Sequence, residues 1–347
     1  MASLHSNDPR AAALDSYLSR YPDIAEGAST AVVFRAVPGA YLDRLRNRPV
    51  QCVQTDKPAA DALARLGTAA AAEPLPPAGL CIVFATKHKE EVLYHYARAV
   101  SLLDEGGILI AVAANVLGAP SLERRCAELL GGVETYSKHK CRVFLGRKDT
   151  AKLDHRLLEA WLRGGELRAI PGADLVSRPG MFSWKALDLG SRLLAQQLPE
   201  NLAGRGADLG AGYGYLSRAL LARARGVGEL HLFEAERKAL DAAERNLAGN
   251  AGETALHFHW ADVTAGLPVS RLDFVVMNPP FHAGREAVSD LGRAFVRAAL
   301  AALRPGGRLF LVANRHLPYE QEIADQGAVC EKLAEEAGFK VLRAVKR

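Results

Sequence analysis

The tetrapeptide Asn278-Pro279-Pro280-Phe281 is where residue types in this chain converge most narrowly on one reaction. An exocyclic aromatic amine is a poor nucleophile because its lone pair is delocalised into the ring. The Asn278 side-chain oxygen and the Pro279 carbonyl offer two acceptors for its two protons. Accepting both draws the nitrogen toward tetrahedral geometry and aims its lone pair outward. The prolines stiffen the backbone and donate no N–H of their own. Phe281 supplies a face on which a base stacks. Alignment and electrostatics would then carry an in-line methyl transfer. His282 comes next in sequence. A structural or substrate-contact use suits it better than base catalysis, since the proton leaves after transfer, from an amine already cationic.

The second chemical signal is Asp208-Leu-Gly210-Ala-Gly212-Tyr-Gly214. Glycine removes the Cβ where a ligand must approach the backbone. The dinucleotide fingerprint would need a third glycine where Tyr215 stands. Asp208 would also repel a phosphate. A cationic ligand without phosphate, such as S-adenosylmethionine, fits better, with the loop on the nucleoside and the carboxylate helping to hold the amino-acid part. The alternative is a tight structural turn. Glu234, in LHLFEAE, is placed to accept the ribose hydroxyls or else to sit as an acid at a helix N-terminus. Asp262, in HWADV, is placed to meet the adenine amine.

These residues require a doubly wound α/β sheet to bring them together. The pattern predicts strands at 205–209, 228–234, 255–260, 272–277 and 307–312, and helices at 215–225 and 238–248. A Leu-rich helix is expected within 181–197. Ligands of such sheets sit at the C-terminal ends of the strands, so the glycine loop and Asn278 share a crevice. The unit also repeats. LCIVFATKHKEEVLYHYARAVSLLDEGGILIAVAAN (80–115) and LDFVVMNPPFHAGREAVSDLGRAFVRAALAALRPGGRLFLVAN (272–314) share a strand, helix, Gly-Gly turn and strand order. Two related α/β domains follow, with a connecting helix at 152–163 stopped by Gly164-Gly165.

Composition agrees with this and narrows the class. The 347 residues are 49% hydrophobic and 24% charged, which excludes extended disorder and fibrous folds. No apolar run reaches the ~20 residues of a membrane span, and no signal-peptide core precedes the first polar segment. Five cysteines without C-x-x-C spacing indicate neither a disulfide framework nor a zinc site, so no metal is expected and a reducing cytoplasm is the natural compartment. The net charge of +5 is too small for binding nucleic acid by charge alone. Local basic clusters remain, among them Arg44/Arg46/Arg48 and Lys87-His88-Lys89.

The second half resembles the "small domain" class I methyltransferases. More narrowly, the chain is similar to the bacterial ribosomal RNA guanine-N2 methyltransferases that modify the small-subunit RNA. PGMFSWKALDLGSRLL, DLGAGYG, NPPFH, LFLVANRHLPY and the terminal FKVLRAVKR carry the likeness, and SKHKCRVFLGRK extends it into the first half. The resemblance implies two tandem Rossmann-like domains: a degenerate one at 1–155 that helps grip RNA, and a catalytic one at 163–347 that uses S-adenosylmethionine. ATKHK (85–89) stands where the second copy has its Asn278 turn, so Lys87 and Lys89 become candidate phosphate contacts. It further implies that Phe182, with Met181 and Ser183, caps the cofactor, and that Asp188 holds the methionine amine. Arg315, with His316 and Tyr319, is expected on the substrate side.

The implied reaction is methylation of a guanine N2 in ribosomal RNA, most directly 16S RNA within the 30S subunit. Close rivals are a 23S guanine, adenine N6 and a protein glutamine amide, because each presents a conjugated NH2. A catalytically idle RNA-binding assembly factor is a further alternative, against which the intact motifs weigh. The sequence leaves open the modified nucleotide and the oligomeric state.

Overall fold

Apolar, β-branched runs such as Ala31–Phe34 and Leu272–Met277 are buried on both faces, as strands inside a parallel sheet must be. The computed structural model describes residues 8–26, 30–74, 77–280 and 285–347. Its first sheet holds β1 (Ala31–Phe34), β2 (Val50–Val53), β3 (Ala70–Ala71), β4 (Ala78–Phe84), β5 (Leu103–Ala114), β6 (Glu134–Lys138) and β7 (Cys141–Arg147). A two-stranded hairpin follows, β8 (Arg168–Ala169) with β9 (Val176–Ser177). The second sheet holds β10 (Ala203–Leu209), β11 (Gly226–Glu234), β12 (Ala255–Trp260), β13 (Leu272–Met277), β14 (Leu303–Asn314), β15 (Val329–Glu336) and β16 (Phe339–Val345).

The two strand orders are the same: β3-β2-β1-β4-β5-β7-β6 and β12-β11-β10-β13-β14-β16-β15. The first five strands of each sheet run parallel, and the last two form an antiparallel edge. Strand order reverses between β10 and β13, which opens a crevice at their C-terminal ends. Glycine loop and Asn278 lie at the ends of these two strands.

The chain separates into two compact units, residues 1–166 with 178–180, and residues 167–177 with 181–347. Helix His155–Gly164 stays with the first unit. Asp154 caps its N-terminus by accepting from Leu157 N at 2.9 Å, and Trp161 is buried among the apolar side chains of that unit's core. It therefore begins three residues later than its periodicity suggested, at the residue after its cap.

The Gly-Gly pairs also differ from the sequence reading. Each Gly-Gly pair belongs to the start of a long strand, β5 or β14, rather than to a separate turn. A register shift in the partner strand absorbs it, between Ala78 and Leu80 and again between Leu272 and Phe274. The Leu-rich helix lies within the expected segment, at Leu189–Gln197, where Asp188 starts it as an N-cap. Among the described residues, no helix is long and apolar enough to cross a membrane.

Candidate functional site

The glycine loop is fixed at both ends by backbone. Gly210 N and Ala211 N donate to Phe233 O at 2.8 and 3.0 Å, and Gly214 caps helix Tyr215–Arg223. Gly210, Gly212 and Gly214 have φ of 71°, 56° and 88°, which disfavour any side chain. A Cβ on Gly214 would lie 3.2 Å from Ala243, whereas one on Gly212 would meet nothing within 4 Å. Gly214 is thus needed for packing, and Gly212 leaves the loop bare. Asn246, which the sequence reading missed, clamps the loop from below. Its amide donates to Tyr213 O at 2.7 Å and to Val176 O at 2.9 Å, and its oxygen accepts from Val176 N. Tyr213, Met181, Ile170 and Leu175 are buried together beside it.

Two carboxylates flank this loop. Asp208 is fully buried on β10, and the Ser217 hydroxyl donates to its Oδ2 at 2.7 Å. Oδ1 is buried with no hydrogen-bond partner among the described residues. Burial pushes its pKa up to about 7; Ser217 works against the rise and the nearby Glu234 adds to it. Glu234, at the end of β11, accepts from Gly212 N at 2.7 Å and from Glu236 N at 2.8 Å. Burial raises its pKa too, and the two backbone donors oppose the rise. Glu234 therefore shapes the loop as well as presenting charge. Asp262 lies beyond the end of β12 and caps the 3-10 turn Val263–Ala265. Its Oδ1 accepts from Thr264 N and Oγ1 at 2.8 and 2.6 Å.

Asn278 follows β13 directly. Its Nδ2 donates to Asp188 Oδ2 at 2.9 Å and to Ser191 Oγ at 2.7 Å. Both amide protons are used, and Oδ1 is buried without a partner among the described residues. Asp188 Oδ2 also accepts from Ser191 N at 2.8 Å as the cap of helix Leu189–Gln197. One helix start thus sets which way the Asn278 amide faces. The resemblance gave Asp188 to a cofactor amine. In the structure, Oδ2 is committed to the cap and to Asn278, and only Oδ1 is left for that purpose. Ser191 was missed, although its place three residues after a capping Asp is a readable signal.

Pro279 is buried and Pro280 exposed; Phe281 and His282 lie outside the described residues. Phe182 is 40% exposed, beside Ser183 at φ 47°. Arg315 is exposed just past the end of β14, on the same sheet edge as Asn278. Tyr319 corrects an expectation: it is fully buried, and a Cβ on Gly292 would fall 1.7 Å from its hydroxyl oxygen, so it packs a helix and contacts no substrate. In the first unit Lys87 is exposed, and Lys89, also exposed, donates to Ser121 Oγ at 3.1 Å.

Comparison with known proteins agrees with this geometry. Residues 172–343 match the model of the methyltransferase small domain. The ribosomal RNA small subunit methyltransferase C of Salmonella newport is 31% identical over 76% of this chain and 75% of its own length. That of Erwinia tasmaniensis is 31% identical over 82% and 80%. The chain belongs to the ribosomal RNA small subunit methyltransferase C family. A solved structure of the T. thermophilus 16S rRNA N2 guanine methyltransferase of this family, in complex with AdoMet and guanosine, aligns over 92% of this chain and 88% of its own. The TM-score is 0.75 and the identity 28%. The family alignment therefore spans both units, and the fold is that of two tandem class I methyltransferase domains.

Proposed function

We propose that this chain transfers the methyl group of S-adenosylmethionine to the exocyclic N2 amine of a guanine in 16S ribosomal RNA. The observation that carries the reading is the Asn278 amide, with both protons spent on Asp188 and Ser191 and its oxygen left over. An acceptor held in that way is what an aromatic NH2 requires. The T. thermophilus relative, seen with AdoMet and guanosine, supports both the cofactor and the base.

The residues present fit the cofactor. Asp208 Oδ1 is a buried acceptor with no donor among the described residues, and the neighbouring Glu234 carboxylate raises the Asp208 pKa further. A cationic ligand relieves both, and the missing Cβ of Gly212 leaves space against the loop. When bound, S-adenosylmethionine supplies an electrophilic methyl group on a sulfonium. Gly210, Gly212 and Gly214 line its seat, with Asp208, Glu234, Asp188 and Asp262 as polar partners and Phe182 over the top. Asn278 Oδ1 accepts one proton of the guanine amine and the Pro279 carbonyl accepts the other. Phe281 stacks on the base. The nitrogen gains the methyl group, becomes cationic, and then releases a proton to solvent, so no strong base is required.

In this reading the first unit, with Lys87 and Lys89, contacts RNA phosphates, and Arg315 does so from the second; a contact by His282 is part of the same proposal. The substrate is RNA of the 30S subunit in the cytoplasm. Labelled S-adenosylmethionine offered with 30S subunits, 50S subunits and protein-free RNA, followed by nucleoside digestion, tests it. N2-methylguanosine from small-subunit RNA is expected. Label in N6-methyladenosine, in protein, or only in 50S RNA overturns the substrate; no transfer at all overturns the activity.

A further inference from the structure

We infer that Glu229, His231 and His257 form a binding site for a divalent transition-metal ion of the zinc class, apart from the methyl-transfer residues. Strand alternation puts Glu229 and His231 on one face of β11. The register of β12 sets His257 beside His231, with His259 two residues further along the same face. The three ligands come from two strands separated by a helix in sequence, so no short spacing motif announces them.

The distances suit an ion. Glu229 Oε1 lies 2.9 Å from His231 Nε2 and 3.3 Å from His257 Nε2, and the three donor atoms lie within 4.8 Å of one another. An ion with bonds of about 2.0–2.2 Å to such ligands holds them roughly 3–3.5 Å apart in tetrahedral geometry. Arg205 Nε donates to Glu229 Oε2 at 2.6 Å, which turns the other oxygen toward the imidazoles. Outer partners of this kind orient the ligands of metal centres.

Proton placement points the same way. His231 Nδ1 is 3.0 Å from His259 Nε2, and one proton must lie between them. With that proton on His231, its Nε2 carries a lone pair. This nitrogen is buried, and a carboxylate oxygen lies 2.9 Å from it. Two acceptors at that separation repel, and a cation between them removes the repulsion. A ligating histidine ordinarily donates its other N–H to a second group, here His259. The His231 and His257 rings stack with centroids 4.6 Å apart and planes at 19°. The His257 side chain is 44% exposed, which gives the ion its way in. Two imidazoles and one carboxylate favour zinc or nickel over magnesium or calcium. Three protein ligands leave a fourth position for water.

Chelator-treated full-length protein titrated with ZnCl2 by calorimetry tests the site. One ion per chain, bound saturably, is expected. His257→Ala and Glu229→Gln should each weaken binding by about tenfold or more, with an unchanged circular dichroism spectrum. His155→Ala, in an exposed helix of the first unit, should leave binding intact. The two half-exposed ligands carry the test because replacing the buried His231 risks the fold. Absence of saturable binding, or binding that survives both His257→Ala and Glu229→Gln, overturns the inference.

Discussion

Gly106 and Gly306 have φ of 76° and 75°, and around each the same bonds recur. Gly106 N donates to Lys148 O and Lys148 N to Gly107 O; Gly306 N donates to Lys346 O and Lys346 N to Gly307 O. Even the lysine side chains agree, donating to Leu103 O at 2.6 Å and to Leu303 O at 2.7 Å. At the opposite end of the sheets the two units part. Where β10 carries the buried Asp208, β1 carries the buried Val33. Gly210 corresponds to Arg35, which keeps a left-handed φ of 53° without the glycine that eases it. Glu234 corresponds to Gln54, which bonds Ala36 O at 2.8 Å and accepts from Thr55 N and Asp56 N. In strand register Asn278 corresponds to Phe84 and Pro279 to Ala85, while Ser191 corresponds to Ala11.

Asp8 survives as the counterpart of Asp188 and still caps its helix. The residue two beyond it is Arg10 instead of Gly190, and its guanidinium bonds Asp8 at 2.6 Å and Ala85 O at 2.6 Å. What the difference teaches is a division of labour. Backbone bonds hold the fold whichever side chains stand at the strand ends, while the chemistry rests on a handful of polar groups there. In the first unit a neutral amide, Gln54, and the Asp8–Arg10 ion pair stand at these strand ends, and Arg10 takes up the Ala85 carbonyl.

Four changes break or sharpen that contrast. Asn278→Ala removes the oriented acceptor and should lower methyl transfer by about 10²-fold or more while S-adenosylmethionine still binds; near wild-type turnover would remove Asn278 from the mechanism. Reversing Lys87 and Lys89 to Glu should weaken RNA binding by roughly tenfold at low salt and flatten its salt dependence by about two phosphate contacts. Cofactor affinity should not move, which filter binding and calorimetry report separately.

Ser191→Ala frees one Asn278 proton without touching the cap's carboxylate. We expect kcat to fall by roughly five- to tenfold with little change in the KM for cofactor, and Ser191→Thr to restore most of it. The smallest effect is on pH dependence. Asp208 holds its proton in the folded chain up to about pH 7, against 3.8 for its ordinary value. Its contribution to stability is therefore greatest below pH 3.8 and is lost as pH rises toward 7. A cationic ligand favours the ionised form, so cofactor affinity should rise a few-fold between pH 6 and 8 with release of a proton. Asp208→Asn should flatten that profile, as calorimetry in buffers of different ionisation heat would show.

Much of this was legible in the residues. Strands 255–260 and 272–277 appear in the structure with the same bounds that their apolar runs and turn residues indicate. Asn278 and the glycine loop announced themselves because proline and glycine constrain backbone on their own. Helix starts were harder: those at 155 and 189 depend on capping by Asp154 and Asp188, which periodicity does not register. Side-chain partners across the fold were invisible, since the Asn278–Asp188–Ser191 contact joins two distant segments. The Glu229–His231–His257 cluster was hidden for the same reason, because strand register is a tertiary fact. Tyr319 misled because a tyrosine next to exposed Arg315 and His316 looks like surface until a helix glycine is found against it.

Ala36 N donates to Val53 O as Ala211 N does to Phe233 O, so Val37 stands where the second unit has Gly212; calorimetric titration of the full chain with S-adenosylmethionine, beside Gly212→Val and Val37→Gly variants, puts the contrast between the units to the most direct test. One site per chain is expected, lost in Gly212→Val by a side chain forced into a left-handed turn and into the cofactor's seat, and unaffected by Val37→Gly. Two sites in the unaltered chain, or one that survives Gly212→Val, would contradict the assignment of the cofactor to the second unit alone.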